Sequence, residues 1–292
     1  MTVQVVVLVC AIVAALLSFA LSASRTFHVD AVDPAVEVQA VRRSLVRHPR
    51  VIRFVRERMD RKTAGGFMLT ASFLVLFVVA FVVGSLLNMI HHNAWLEHAD
   101  RSVAAWGSRH GTSDTAQAMR WVTRLGSTIG VIVMLTLTAG IEYLRRHKVG
   151  VVAFLGAVGV GQLILSNVLK LVVHRDRPSV LRLVVVHGYS FPSGHTVAAA
   201  SATSAIALVF GTGRSRLVRA ALAGAAALIA ISVAASRALL GVHWLSDVIA
   251  GLAIGWGWFM IVAIIFGGRA QRLGDPVAVE AQPVDAGTFV GS

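Results

Sequence analysis

The chain has 292 residues, 56% of them hydrophobic and only 14% charged, with a net charge of +13 and a mean hydropathy of +0.75. A soluble domain of this length needs far more polar side chains to cover its surface, whereas a lipid-facing helix has no such need, so the composition points to a membrane protein. Cys10 is the single cysteine, which excludes a disulfide framework and a cysteine-ligated metal site.

Spans are expected wherever about 17 to 25 mostly apolar residues run together, enough to cross a hydrocarbon core of about 30 Å. Such stretches occur at residues 2–24, 67–90, 125–144, 149–173, 196–212, 218–235 and 248–267. The first lacks the basic start of a signal peptide and is read as a span. The segment RRSLVRHPRVIRFVRERMDRK, Arg42 to Lys62, follows it. Beside a span it reads as a topological anchor touching anionic headgroups, and no nucleic-acid partner is expected. The fold expected is an all-α, polytopic membrane helical bundle. Residues 1–66 form an N-terminal span with a basic cytoplasmic amphipathic segment, 67–267 the membrane domain, and 268–292 a cytoplasmic tail whose composition reads as disordered.

Orientation follows from Lys and Arg, which resist translocation in short loops. Of the 27, ten fall in residues 25–62, and Arg145, Arg146, Lys148, Arg214, Arg216, Arg219, Arg269 and Arg272 fall in connections on the same side. Those 18 mark the cytoplasmic face, against nine on the other. The localisation expected is the cell membrane, multi-pass.

Three polar clusters interrupt the apolar pattern, all on the extracytoplasmic face by this count. They are KLVVHRDRP (Lys170 to Pro178), PSGH (Pro192 to His195) and SRALLGVHWLSD (Ser236 to Asp247). Singly, each has a structural explanation: Lys170 and Arg177 as snorkelling anchors, Ser193 as a helix cap after Pro192. His243 and Asp247 stand four apart, which on a helix places both on one face within hydrogen-bonding reach. The carboxylate would fix the imidazole tautomer. Together the clusters supply what phosphoryl transfer needs. Lys170, Arg177 and Arg237 neutralise charge, backbone N–H groups around Ser193 and Gly194 point at an anion, and two histidines provide a nucleophile and a proton. His91 and His92 are adjacent and accompanied by no carboxylates, so no metal is assigned. Trp95, Trp106, Trp121 and Trp244 read as interfacial belt residues, and His174, Arg175, Asp176 and Arg182 as loop residues beside the site.

K-x6-R-P, PSGH and S-R-x5-H-x3-D, in this order and each at a membrane boundary, resemble the type 2 phosphatidic acid phosphatase superfamily, the lipid phosphate phosphatases. The resemblance covers residues 67–267 and implies a six-helix core, to which span 2–24 is an addition. It makes His243 the nucleophile that takes the phosphoryl group, Asp247 its orienting acid and His195 the general acid that protonates the departing alkoxide. Lys170, Arg177, Ser193, Gly194 and Arg237 become the phosphate cradle. The activity implied is metal-independent hydrolysis of a lipid phosphate or polyprenyl pyrophosphate through a phosphohistidine, without a cofactor. The expected partners are the phosphorylated lipid and the bilayer. A lipid phosphotransferase uses the same residues and differs only in its acceptor. A transporter is disfavoured because its ionisable groups belong near the midplane. The apolar run VLRLVVV from Val180 and the mixed loop 91–121 favour a substrate held in the membrane, with Arg182 a candidate contact to a second phosphate.

Overall fold

The computed structural model describes residues 64–92, 94–147, 149–180, 184 and 188–270. They form α1 (Ala64–His92), α2 (Ala94–His110), α3 (Ser113–Arg124), α4 (Thr128–Arg146), α5 (Val149–Val173), α6 (Gly194–Gly211), α7 (Arg216–Leu239) and α8 (Leu245–Ala270). Six of these are long and apolar enough to cross a membrane, over Ser72–Ile90, Thr128–Arg145, Val149–Val173, Gly194–Gly211, Arg216–Leu239 and Leu245–Phe266. The chain is all-α and multi-pass. Span 2–24 with Cys10, the basic segment Arg42 to Lys62, Arg182 and the tail beyond residue 270 lie outside the described residues.

Helix ends depart from the hydropathy pattern where local chemistry overrides it. α4 starts at Thr128, three residues later than expected, because Ser127 is its N-cap and its Oγ accepts from the Gly130 N–H at 3.1 Å. α7 runs on to Leu239 and so carries the polar pair Ser236 and Arg237 within its last turn. Hydropathy stops at polar residues; a helix does not. The connection between α1 and α4 holds two helices, α2 and α3. α3 opens with a reciprocal capping box, in which the Thr112 and Thr115 hydroxyls each accept from the other's backbone N–H at 3.3 and 2.8 Å.

α6 is the central helix, packed by α7, α8, α5 and α4. Its run GHTVAAASATSA is made of small residues, and Val197, Ala198, Ala199, Ala200, Ala202 and Ala205 are all buried. Lipid tails are as apolar as leucine, so what holds helices together here is close van der Waals packing, which small side chains permit. α8 answers with glycine: a Cβ at Gly255 would sit 2.6 Å from the Val197 carbonyl oxygen. α8 also carries α1, whose Phe73, Phe77 and Phe81 face outward and are more than half exposed, as lipid-facing residues should be.

The end of α5, the start of α6, the end of α7 and the start of α8 meet at one end of the bundle, tied by Ser193 N–H to the Asp247 carbonyl at 3.2 Å and Arg177 Nη1 to the Val242 carbonyl at 2.7 Å. α3 closes over this end. Its Ala116 and Met119 pack with Leu239, Leu240 and Val242, the residues leading into His243.

Candidate active site

The three sequence clusters converge at this end. Gly194 is the first residue of α6, and a Cβ on it would lie 3.4 Å from Lys170 Nζ, so the α5 lysine stands directly over the α6 N-terminus. The first N–H groups of a helix have no intrahelical acceptor, and with an ammonium beside them they form an anion site. Ser193 is the N-cap residue and fully buried, yet its side chain makes no backbone cap bond; its Oγ instead accepts from Thr196 Oγ1 at 3.0 Å.

Arg177 is held by carbonyls. Its Nε donates to Gly188 O at 2.8 Å, Nη1 to Val242 O at 2.7 Å and Nη2 to Tyr189 O at 3.2 Å. This aims the guanidinium at His243, whose Nε2 lies 3.3 Å from Arg177 Nη1. Arg237 is 5% exposed; its Nη1 reaches Thr123 Oγ1 of α3 at 3.5 Å, and its Nε is buried with no hydrogen-bond partner among the described residues. A buried guanidinium N–H without an acceptor is costly, and an anion bound here would remove that cost. His195, on the first turn of α6, lies within electrostatic reach of Arg237, His243, Lys170 and Arg177. The turn joining α3 to α4 packs on its backbone, where a Cβ at Gly126 would meet the His195 carbonyl oxygen at 2.5 Å.

His243 and Asp247 meet, but not as neighbours on one helix face. α8 begins at Leu245, so His243 precedes it. The cause is local: Asp247 Oδ2 reaches back to accept the Trp244 N–H at 3.0 Å, the cap contact of an acid in a first helical turn. His243 Nδ1 stands 3.6 Å from the same oxygen, too far for a hydrogen bond, and has no other partner among the described residues. The imidazole is 2% exposed, and burial lowers its pKa to about 4 against the raising effect of Asp247. It is therefore neutral at physiological pH. With Nδ1 toward the carboxylate, Nε2 faces the cations.

Lys170, Arg177, Ser193, Gly194, His195, Arg237, His243 and Asp247 lie together at this end of the bundle. Arg175, Asp100, Ser246 and Thr123 join them without having been expected. Arg175 is no loop bystander: its Nη1 donates to Asp247 Oδ1 at 2.6 Å and to Ser246 Oγ at 2.7 Å, and its Nη2 to Asp100 Oδ2 at 2.7 Å. Asp100, on α2 and 2% exposed, also accepts from Ser246 N–H at 2.8 Å. A signal for Asp100 existed, since Leu96, Asp100, Ala104 and Gly107 are spaced as one helical stripe and all are buried. Thr123, beside Arg237, carried no such signal. Trp244 is tied to the protein, its Nε1 donating to the Asp176 carbonyl at 2.8 Å.

A family model for the PAP2 superfamily matches residues 149–270. Over 180 residues the chain is 31% identical to phosphatidylglycerophosphatase B of Bacillus subtilis, covering 59% of this chain and 85% of that protein. It is 31% identical over 159 residues to decaprenylphosphoryl-5-phosphoribose phosphatase of Mycobacterium tuberculosis, covering 47% and 84%. With lipid A 1-phosphatase of Rhizobium etli it shares 33% identity over 120 residues, covering 38% and 47%. In fold it is similar to the crystal structure of a transmembrane PAP2 type phosphatidylglycerolphosphate phosphatase from Bacillus subtilis, with a TM-score of 0.60, 24% identity, and coverage of 70% of this chain and 97% of that one. By this identity and coverage, and by the three motifs its helix ends bring together, the chain belongs to the PAP2 superfamily.

Proposed function

We propose that this protein is an integral-membrane phosphatase that hydrolyses a lipid phosphate or polyprenyl pyrophosphate, with residues 67–267 as its catalytic domain. The observation that carries the reading is the juxtaposition of His243 Nε2 and Arg177 Nη1 at 3.3 Å beside a helix N-terminus overhung by Lys170. The named relatives act on different molecules, yet each name describes a phosphate removed from a lipid.

The chemistry follows from the placement. Phosphate oxygens lie among Lys170, Arg177, Arg237 and the N–H groups at Ser193 and Gly194, which neutralise the charge that builds in the transition state. His243 Nε2 attacks phosphorus, the bond to the lipid oxygen breaks, and His195 gives that oxygen its proton. Asp247 balances the positive charge that the phosphorylated ring acquires. Water then attacks phosphorus, loses a proton to His195, and the P–N bond breaks to release phosphate and neutral His243. Three fixed cations take the part a divalent metal plays elsewhere, so turnover needs no metal.

The 18 to 9 division of basic residues supports a site on the extracytoplasmic face. A cysteine at Ser108 should react with an impermeant thiol reagent in intact cells after Cys10 is replaced, and one at Ser215 should not; the reverse labelling would put catalysis in the cytoplasm. The reading as a whole is tested by phosphate release from purified protein on a panel of monophosphate and pyrophosphate lipids. Release should persist in EDTA, stop with vanadate, and be far slower on glycerol phosphate. Dependence on added magnesium, or equal efficiency on the soluble ester, would overturn it. Transfer to a lipid or sugar hydroxyl would appear in the same assay as a new phosphorylated product in place of free phosphate.

A further inference from the structure

Behind His243 lies a closed network that the three motifs do not account for. Asp247 is fully buried, and its carboxylate is placed by two donors, Arg175 on Oδ1 at 2.6 Å and Trp244 N–H on Oδ2 at 3.0 Å. Arg175 is in turn gripped by Asp100 at 2.7 Å, and Ser246 links the pair, donating from Oγ to Asp100 Oδ2 at 2.6 Å while accepting from Arg175 at 2.7 Å. Asp100 belongs to α2, outside the residues 149–270 that match the family model.

We propose that Asp100 and Arg175 are positioning residues for phosphoryl transfer, Arg175 fixing the Asp247 carboxylate behind His243 and Asp100 keeping the group of charges around it negative. The inference rests on the functional reading above. Its argument is a charge balance. Arg175 alone would cancel Asp247, leaving nothing to stabilise the ring when Nε2 bonds to phosphorus and the imidazole becomes positive. Asp100 supplies a second negative charge, so two carboxylates and one guanidinium leave a net charge of about −1 in a buried site where screening by water is weak. The other charged or titratable groups that act on His243 are Arg177 of the connection after α5, His195 of α6 and Arg237 of α7. All of them lie on the phosphate side.

The alternative is that Asp100 only ties down Ser246 N–H at the start of α8, and variants of opposite charge effect separate the two. Asp100→Asn keeps the shape and an acceptor oxygen but removes a negative charge. Its kcat should fall about 10- to 100-fold with KM within about twofold, and the acid limb of its pH–rate profile should move down by about one pH unit, because protonated His243 loses support. Arg175→Gln removes a positive charge and should move the same limb up by a similar amount. Asp100→Asn combined with Arg175→Gln restores the charge balance and should return the limb toward its wild-type position while kcat stays low. This double variant also decides the matter where Arg175→Gln alone, with two buried carboxylates left unpaired, fails to fold. The readouts are size exclusion in detergent for folding, then kcat, KM and the pH profile on one lipid phosphate. Folded single variants whose limbs stay in place, or a double variant with wild-type kcat, would overturn the proposal while leaving the phosphatase reading standing. Absence of phosphate release by the wild-type protein would overturn both.

Discussion

On the side of His243 proposed to hold phosphate, Lys170 and Arg237 form no salt bridge with a carboxylate among the described residues, and Arg177 directs donors to the carbonyls of Gly188, Tyr189 and Val242. On the far side, Arg175 is bound by two buried carboxylates, Asp100 and Asp247. The residue type is the same, and two positions separate Arg175 from Arg177 in sequence. What differs is the set of described contacts, carboxylates around Arg175 and backbone carbonyls around Arg177. A buried cation held by carboxylates completes the protein, whereas one without a carboxylate partner among the described residues, such as Arg237, keeps its charge available for an anion that arrives from outside. Arg237 states this most sharply, with its Nε buried and without a hydrogen-bond partner among the described residues.

The comparison breaks first on the phosphate side. Neutralising Arg237 or Lys170, as Arg237→Gln or Lys170→Met, should lower kcat/KM about 100- to 1000-fold, because a preorganised charge is lost where charge develops. These variants should leave thermal stability unchanged or raised, since a buried (Arg237) or part-buried (Lys170) cation without a carboxylate partner among the described residues has been removed. Losses below about tenfold, measured in steady-state kinetics on a lipid phosphate, would mean that the phosphate does not sit among these cations.

The next effect separates His195 from His243 and depends on the leaving group. His195→Ala should cost about 100-fold or more on an alkyl lipid phosphate and about tenfold or less on an activated aryl phosphate, whose departing oxygen hardly needs a proton. Equal losses on both substrates would remove His195 from the role of acid.

The smallest effect is a pH dependence of stability that belongs to the far side. His243 is lowered to about 4 in the folded chain from an ordinary value near 6.5. Between those values the unfolded chain binds the proton and the folded chain does not, so stability falls as pH drops from about 6.5 toward 4 and is unaffected by this group above that window. The span corresponds to about 3 kcal/mol at most. Thermal melts in detergent across pH 4 to 7 should show a steeper decline for wild type than for His243→Gln; parallel curves would contradict the assignment.

Most of this architecture was legible because a bilayer is a demanding solvent. Spans such as 149–173 coincide with α5 at both ends, since the apolar run is long enough that Gln162, Ser166, Asn167 and Lys170 do not break it. The gathering of these side chains at one end was legible too, because Lys170, Gly194, His195, Arg237 and His243 lie at span ends, where charge is conspicuous. What the sequence hid depends on contacts between elements far apart. Asp100 and Ser246 are 146 positions apart, and only the docking of α2 against α8 brings them together. His243 and Asp247 were read as a helical pair, but the spacing i, i+4 does not say where a helix starts, and the Asp247 bond to Trp244 N–H places the start after His243. Thr123 was hidden for a third reason, as a hydroxyl on an amphipathic helix looks the same whether it faces water or Arg237.

The central claim is that His243 carries the phosphoryl group. Purified protein mixed with a lipid phosphate bearing radiolabelled phosphorus and quenched in alkaline denaturant, where phosphohistidine survives, should retain label on the chain within one turnover. Peptide mass spectrometry should place it on His243, with none in His243→Ala. Label on another residue, or turnover of the lipid by His243→Ala, would contradict the account.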